Sequence, residues 1–234
     1  DSGQILPPQL SEILTRLREN AHRMPLGQVA QVLDDSLGKQ WKEAFKRFDF
    51  KPVAAASIGQ VHRATLRDGR EVAIKLQYPG IERSIDSDIR NVGMLLKLSG
   101  MLPDGIDLDP LLDEARHQLH HEADYEHEAE LLRRFHAHLE QDQRFTVPGV
   151  IGELSSRRVL TMDYLHGKPI ETIENLESAK RNDAARHLTE LAFREVFDWG
   201  LVQTDPNFAN FAFREDGTVA VYDYGCMKEI PVVS

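Results

Sequence analysis

The chain has 234 residues and is 41% hydrophobic and 28% charged, with a net charge of −10 and a single cysteine, Cys226. That length suffices for a buried core of one or two lobes. The scattered basic residues and acidic balance exclude non-specific nucleic-acid binding, one cysteine excludes an internal disulfide, and no apolar run reaches the ~18–20 residues of a membrane span. Leu10, Ile13, Leu14 and Leu17 recur at helical spacing, and Met24-Pro25 ends that helix. Val29, Val32, Leu33 and Leu37 predict a second helix, and Trp41, Ala44, Phe45 and Phe48 a third, so residues 1–48 read as a helical N-terminal extension. From Phe50 the pattern changes to strands: residues 61–66 and 71–77 flank Asp68-Gly69, a hairpin turn signal. Ile85, Ile89, Val92, Leu95 and Leu96 predict a helix over 81–100, within an insertion that spans 81–109. Residues 110–140 read as one long helix, 146–151 and 158–162 as short strands, 178–199 as a helix, and two further strands surround Gly217.

Three separated stretches sit at the spacings of a kinase active site. Ala54-Ala-Ala-Ser-Ile-Gly-Gln-Val61 is followed by Val72-Ala-Ile-Lys75, then by Asp205-Pro-Asn-Phe-Ala-Asn210, and last by Asp223-Tyr-Gly225. Asp205 and Asn210 are five residues apart, as in a kinase catalytic loop, and the 13 from Asn210 to Asp223 leave room for a strand pair. On this pattern Lys75 pairs the nucleotide phosphates, Asp205 orients the attacking hydroxyl or water, and Asn210 and Asp223 offer oxygen ligands to Mg²⁺. The loop of Ala54, Ala55, Ala56, Ser57, Ile58, Gly59 and Gln60 would cover ATP or ADP. Ala54 and Ala56 take the first two glycine positions of a kinase phosphate loop, and only Gly59 remains. Glycine there permits positive φ and a close backbone approach to phosphate, and alanine restricts both. The stretch Leu160-Thr-Met-Asp-Tyr-Leu-His-Gly167 resembles a kinase hinge, with Met162 as gatekeeper and the backbone of Asp163, Tyr164 and Leu165 facing adenine.

Other chemistries are weaker. His117 and His121 have the i, i+4 spacing of metal ligands, but no cysteine joins them and their helix is acidic, which reads as a solvated face. Ser57 has no legible His–Asp partners, so a serine hydrolase is unsupported.

These residues resemble the UbiB/ADCK family of atypical kinases over nearly the whole chain. The Ala-rich loop and Glu122-Ala-Asp124-Tyr-Glu-His-Glu128 carry the resemblance, and Gln203-Thr-Asp-Pro-Asn-Phe-Ala-Asn210 is closer to the ADCK branch. The resemblance implies an α+β, two-lobed protein-kinase-like fold. Its expected parts are the extension 1–48, an N-lobe over 49–162 carrying the helical insertion, and a hinge with partial C-lobe over 163–234. It implies that Glu122 and Asp124 face the active site and that Glu128 pairs with Lys75. It further implies Mg²⁺-dependent phosphoryl chemistry on ATP in support of ubiquinone biosynthesis. The implied setting is the cytoplasm or the mitochondrial matrix side, with quinone-biosynthesis proteins, lipid intermediates or a membrane surface as partners. An active protein kinase and a nucleotide-switched binding module are the alternatives; the alanines oppose the first, and Asp205, Asn210 and Asp223 together oppose the second. Two departures stand out. Asp1 takes the lysine position of the family's Lys-x-Gly-Gln motif if Gly3-Gln4 is its end, so the motif is expected upstream. Ser234 follows soon after Asp223, short of the rest of a kinase C-lobe.

Overall fold

A computed structural model describes residues 24–55, 58–99, 107–169, 172, 178–203, 210–222 and 227–230. The predicted helix around Leu10–Leu17 lies outside them. The chain forms two compact units, one of residues up to Ala123 with Gly152–Thr161, the other of Asp124–Ile151 with residues from Met162 onward.

The first unit is built on an antiparallel sheet. Strand β1 (Phe45–Phe48) pairs with β3 (Gly59–Leu66), β3 with β4 (Glu71–Gln77), and β6 (Val159–Asp163) lies next to β4, while the short β2 (Ala54–Ala55) pairs with the start of β3. The β3–β4 hairpin turns at Asp68-Gly69, with Gly69 at φ +94°, a conformation that only glycine adopts freely. Opposed residues share a sheet face. Val61 opposes Lys75, whereas Gln60, His62 and Ala64 oppose Leu76, Ile74 and Val72 on the other face. Helix α1 (Leu26–Leu37) packs on β4 and buries Val29, Val32 and Leu33, three of the four residues whose spacing predicted it.

The third predicted helix is not one. Residues Trp41–Ala44 make a single 3₁₀ turn, and Phe45–Phe48 is a sheet strand. The rings of Trp41, Phe45 and Phe48 meet edge to face at 5.3–6.0 Å, and Trp41 Nε1–H donates to Asp34 at 2.7 Å. Pairing with β3 and this aromatic seat outweigh the helical spacing. The stretch 1–48 therefore includes a strand, β1, that pairs with β3.

Helix α2 (Ile81–Ser99) and helix α3 (Asp109–Glu122) pack through Val92, Leu96, Leu108, Leu111 and Leu112. The single long helix expected over 110–140 breaks after α3. Asp124 leaves helical geometry at ψ 87°, and its carboxylate accepts the His127 N–H at 3.0 Å, capping α4 (Tyr125–Leu139). An aspartate followed by Glu126 and Glu128 in the first turn is a helix-start signal.

In the second unit α4 is followed by β5 (Phe145–Thr146), which is shorter than the expected 146–151 strand; Pro148 has no N–H to continue a ladder. The β7 (Lys168–Pro169), α5 (Ser178–Arg194), β8 (Leu201–Gln203), β9 (Phe211–Phe213), β10 (Val219–Val221) and β11 (Met227–Glu229) elements follow. One sheet has the order β5-β10-β9-β7, and β11 pairs with β8. The helix predicted over 178–199 ends in a π turn, Glu195–Trp199. Asp142 joins the loop after α4 to α5: it takes a two-pronged contact from Arg144 at 2.8 Å and another from Arg194 at 2.8 Å, and Arg144 also contacts Glu190. The Arg144 guanidinium is the main reason that the Asp142 carboxyl is held well below the usual carboxylate range.

Candidate functional site

In the first unit Lys75 is nearly buried on β4, opposite Val61. Gly59 leads into the same hairpin. Its φ is not left-handed, contrary to the conformational reason expected for it. A Cβ on Gly59 would stand 2.1 Å from the Leu76 carbonyl oxygen, so the glycine is demanded by close approach of two strands. Ala54 and Ala55 are exposed and extended, paired with Val61 and Gln60. No non-glycine residue among those described has positive φ, so no steric strain resides in either alanine. Ala56 and Ser57 lie outside the described residues.

Two members of the loop turn inward. Ile58 is buried in the core. Gln60 is 1% exposed, and its carboxamide is engaged within the fold: Oε1 accepts the Met24 N–H at 3.2 Å and Nε2 donates to His62 Nε2 at 2.9 Å. His62 completes the chain through Nδ1 to the Asp49 carbonyl at 2.9 Å and stacks on Phe48 at 5.4 Å. Burial pushes the His62 pKa down and keeps the ring neutral. The face-sharing rule puts this polar chain on the side of the sheet away from Lys75. The Gln60 side chain is thus held within the fold.

Gln77, two residues after Lys75 on its face, was not singled out by sequence. Its amide donates to the Ala123 carbonyl at 2.7 Å and to the Arg157 carbonyl at 3.3 Å. It thereby holds the peptide between Glu122 and Asp124. Glu122 ends α3 and is half-buried, while Asp124 caps α4. Glu122 and Glu128 therefore belong to two helices rather than one continuous face.

In the second unit Glu128 is 3% exposed on α4. Met162 is buried near the end of β6 and bridges Val150. Asp163 holds Gly149 twice: its N–H donates to the Gly149 carbonyl at 3.0 Å, and its carboxylate accepts the Gly149 N–H at 3.0 Å. The Leu165 carbonyl accepts the Tyr222 hydroxyl at 3.2 Å. The Asp163 carbonyl and the Leu165 N–H carry none of these bonds. Tyr164 is half-buried beside them.

The β9–β10 hairpin sets the metal-ligand candidates. Phe211, Ala212 and Phe213 oppose Val221, Ala220 and Val219. The Tyr222 N–H then donates to the Asn210 carbonyl at 2.9 Å, extending the register by one pair. Asn210 and the residue that precedes Asp223 are thus side by side at the open end of one hairpin. Asp205 and Asp223 themselves lie outside the described residues. The Gln203 N–H, two residues before Asp205 in the chain, donates to buried Glu195 at 3.2 Å. Burial pushes the Glu195 carboxyl up to about 7 despite that hydrogen bond. No sequence signal marked Glu195; its isolation emerges only when the π turn buries it.

Among the described residues no three His, Cys, Asp or Glu side chains gather as a metal site, and no helix is long and apolar enough to cross a membrane. His117 and His121 are exposed.

The sequence matches the ABC1 atypical kinase-like domain over residues 16–232. It is 42% identical over 230 residues to "Atypical kinase COQ8B, mitochondrial" of Danio rerio, covering 98% of this chain and 37% of that protein. It is 38% identical over 226 residues to "Atypical kinase COQ8, mitochondrial" of Saccharomyces cerevisiae, covering 96% of this chain and 45% of that one. The chain thus spans less than half the length of either relative. The fold is similar to the Rv3197–erythromycin complex from Mycobacterium tuberculosis, with a TM-score of 0.77 and 33% identity over 97% of this chain and 58% of that one. Strand order, helical insertion and sequence agree on a protein-kinase-like α+β fold, and the chain belongs to the ABC1 family of atypical kinases, together with the COQ8 proteins.

Proposed function

We propose that this chain carries the nucleotide site of an atypical kinase or ATPase that binds ATP or ADP with Mg²⁺, and that the whole protein serves ubiquinone biosynthesis. The observation that supports the reading is the hairpin register that sets Asn210 beside Tyr222, the residue before Asp223 in the chain. Asn210 and Asp223 offer only oxygen donors, which suits a hard cation. Bound there, Mg²⁺ would offset charge on the phosphates. Lys75 contacts those phosphates, and Asp205 orients the attacking hydroxyl or water.

Lys75 and Glu128 form an ion pair in this reading. The backbone of Ala54–Gly59 covers the nucleotide, while the Asp163 carbonyl and Leu165 N–H read adenine. Glu122 and Asp124 border the site. The quinone pathway, a mitochondrial or cytoplasmic setting, protein or lipid partners and a membrane contact rest on likeness to COQ8 proteins alone.

The test is nucleotide binding and Mg²⁺-dependent phosphate release by the full-length protein. Lys75→Ala and Asp223→Asn should each abolish release, and Asp223→Asn should remove the Mg²⁺ dependence of binding without unfolding the protein. Unchanged Mg²⁺ dependence in Asp223→Asn refutes the assignment.

A further inference from the structure

Tyr222, the residue before Asp223, touches two parts of the second unit at once. Its N–H donates to the Asn210 carbonyl at 2.9 Å, and its hydroxyl donates to the Leu165 carbonyl at 3.2 Å. The first bond belongs to the hairpin of the metal-ligand candidates; the second reaches the segment that would read adenine. A neighbouring stitch runs parallel to it. Strand β7 pairs with β9, Lys168 opposite Phe213 and Pro169 opposite Ala212. Between the two stitches the chain passes Gly167, where a Cβ would stand 2.7 Å from the Ala212 Cβ and 3.1 Å from the Tyr222 hydroxyl. A side chain there would push the 165–167 segment off the hairpin. The tyrosine is half-buried, and its phenol is a proton donor at neutral pH.

We propose that Tyr222 is a positioning residue for the nucleotide: it sets the adenine-reading segment against the hairpin that holds Mg²⁺. The inference rests on the reading of Asp163–Leu165 as a hinge. The physical reason is preorganisation. A nucleotide held at its purine and at its phosphates gains most when the two anchors are already at the right separation. The Leu165 carbonyl has one donor from Tyr222; with phenylalanine in its place, the segment loses that tether while the ring and backbone bond stay.

The experiment measures ATP and GTP affinity of the full-length protein by competition against a fluorescent nucleotide, for wild type, Tyr222→Phe and Gly167→Ala. Wild type should prefer ATP, because a backbone carbonyl and N–H match the adenine edge. Tyr222→Phe should weaken ATP by about five- to tenfold, the worth of one hydrogen bond. GTP should change little, so the ATP:GTP ratio falls. Gly167→Ala should lower the ratio from the other side of the contact, which keeps the test available if the phenylalanine variant folds poorly. Equal weakening of ATP and GTP indicates general loosening and overturns the inference, as does an unchanged ratio in both variants. A wild-type protein that binds nucleotide without preferring ATP refutes the hinge reading, and the inference with it. A wild-type protein that binds no nucleotide refutes the proposed function itself.

Discussion

Replacing Gln60 with leucine removes the side chain that fastens the start of α1 to the strand behind the Ala-rich loop. The polarity of this buried chain is forced. An amide nitrogen donates to His62 Nε2, so Nε2 accepts, and the neutral ring carries its proton on Nδ1 toward Asp49. Leucine fills a similar volume but strands the Met24 N–H and His62 Nε2, both buried. An unpaired buried polar group costs ~1–3 kcal/mol, and the leucine's own apolar burial offsets ~1–2 kcal/mol of the pair. The net expectation is a loss of roughly 1–4 kcal/mol in the first unit. The assay is urea unfolding followed by tryptophan fluorescence in a Trp199→Phe background, where Trp41 alone reports. A second readout is the ring-nitrogen NMR spectrum of His62, which should show the Nδ1–H tautomer. Gln60→Glu provides the contrast. One oxygen still accepts from Met24, but the other now faces Nε2 and favours an imidazolium, so His62 should titrate upward. In wild type the sign is the reverse: the folded pKa is depressed, so stability is full above the unfolded value near ~6.5 and declines as pH falls through it. A loss under ~0.5 kcal/mol in Gln60→Leu, well below the penalty for even one stranded group, or an Nε2–H tautomer in wild type, refutes the reasoning.

Gly59→Ala should destabilise the first unit by ~2–3 kcal/mol or more, because its Cβ meets backbone, the Leu76 carbonyl at 2.1 Å, rather than a movable side chain; unfolding measurements that give an effect near zero would show that the strands part freely there. Glu195 binds a proton more tightly folded than unfolded, so its contribution is full below the unfolded value near ~4.3 and is lost as pH rises to about 7. Glu195→Gln keeps an acceptor for Gln203 and should therefore raise stability at pH ~8 by on the order of 2 kcal/mol and leave pH ~4 unchanged, as measured by thermal melts across that range. Asp142→Asn should weaken the second unit by ~1–3 kcal/mol, since it uncouples Arg144 and Arg194 in a partly exposed cluster; the acid limb of the stability profile below pH ~4 should flatten as well, because the depressed Asp142 pKa contributes stability that is lost as pH falls.

Much of the site's outline was legible because it is local. Asp68-Gly69 specifies its hairpin through a φ that other residues avoid, and Val-Ala-Ile-Lys is a strand by its β-branched, apolar composition. The 81–99 helix follows its apolar spacing closely. The Asn210-to-Asp223 interval of 13 residues allowed a hairpin, and a hairpin is there. The Asp124 cap was also written in the sequence, inside a stretch rich in His and Glu that reads as one helix.

The sequence by itself determined helix α1, the 81–99 helix, the β3–β4 hairpin with its turn and the chemical identity of the candidate ligands, since these depend on side-chain type and on neighbours a few residues away. Only the tertiary structure decided between local options of similar merit. Phe45 and Phe48 satisfy a helix or a strand equally, until Trp41 and β3 offer them a ring cluster and a ladder. It alone decided which polar groups belong to the fold: Gln60 and Gln77 are both strand glutamines, yet one is bonded to the start of α1 and the other to the peptide between Glu122 and Asp124. Burial and hydrogen-bond satisfaction are properties of what lies across a gap in space, and that partner can be 36 or 46 residues distant in the chain.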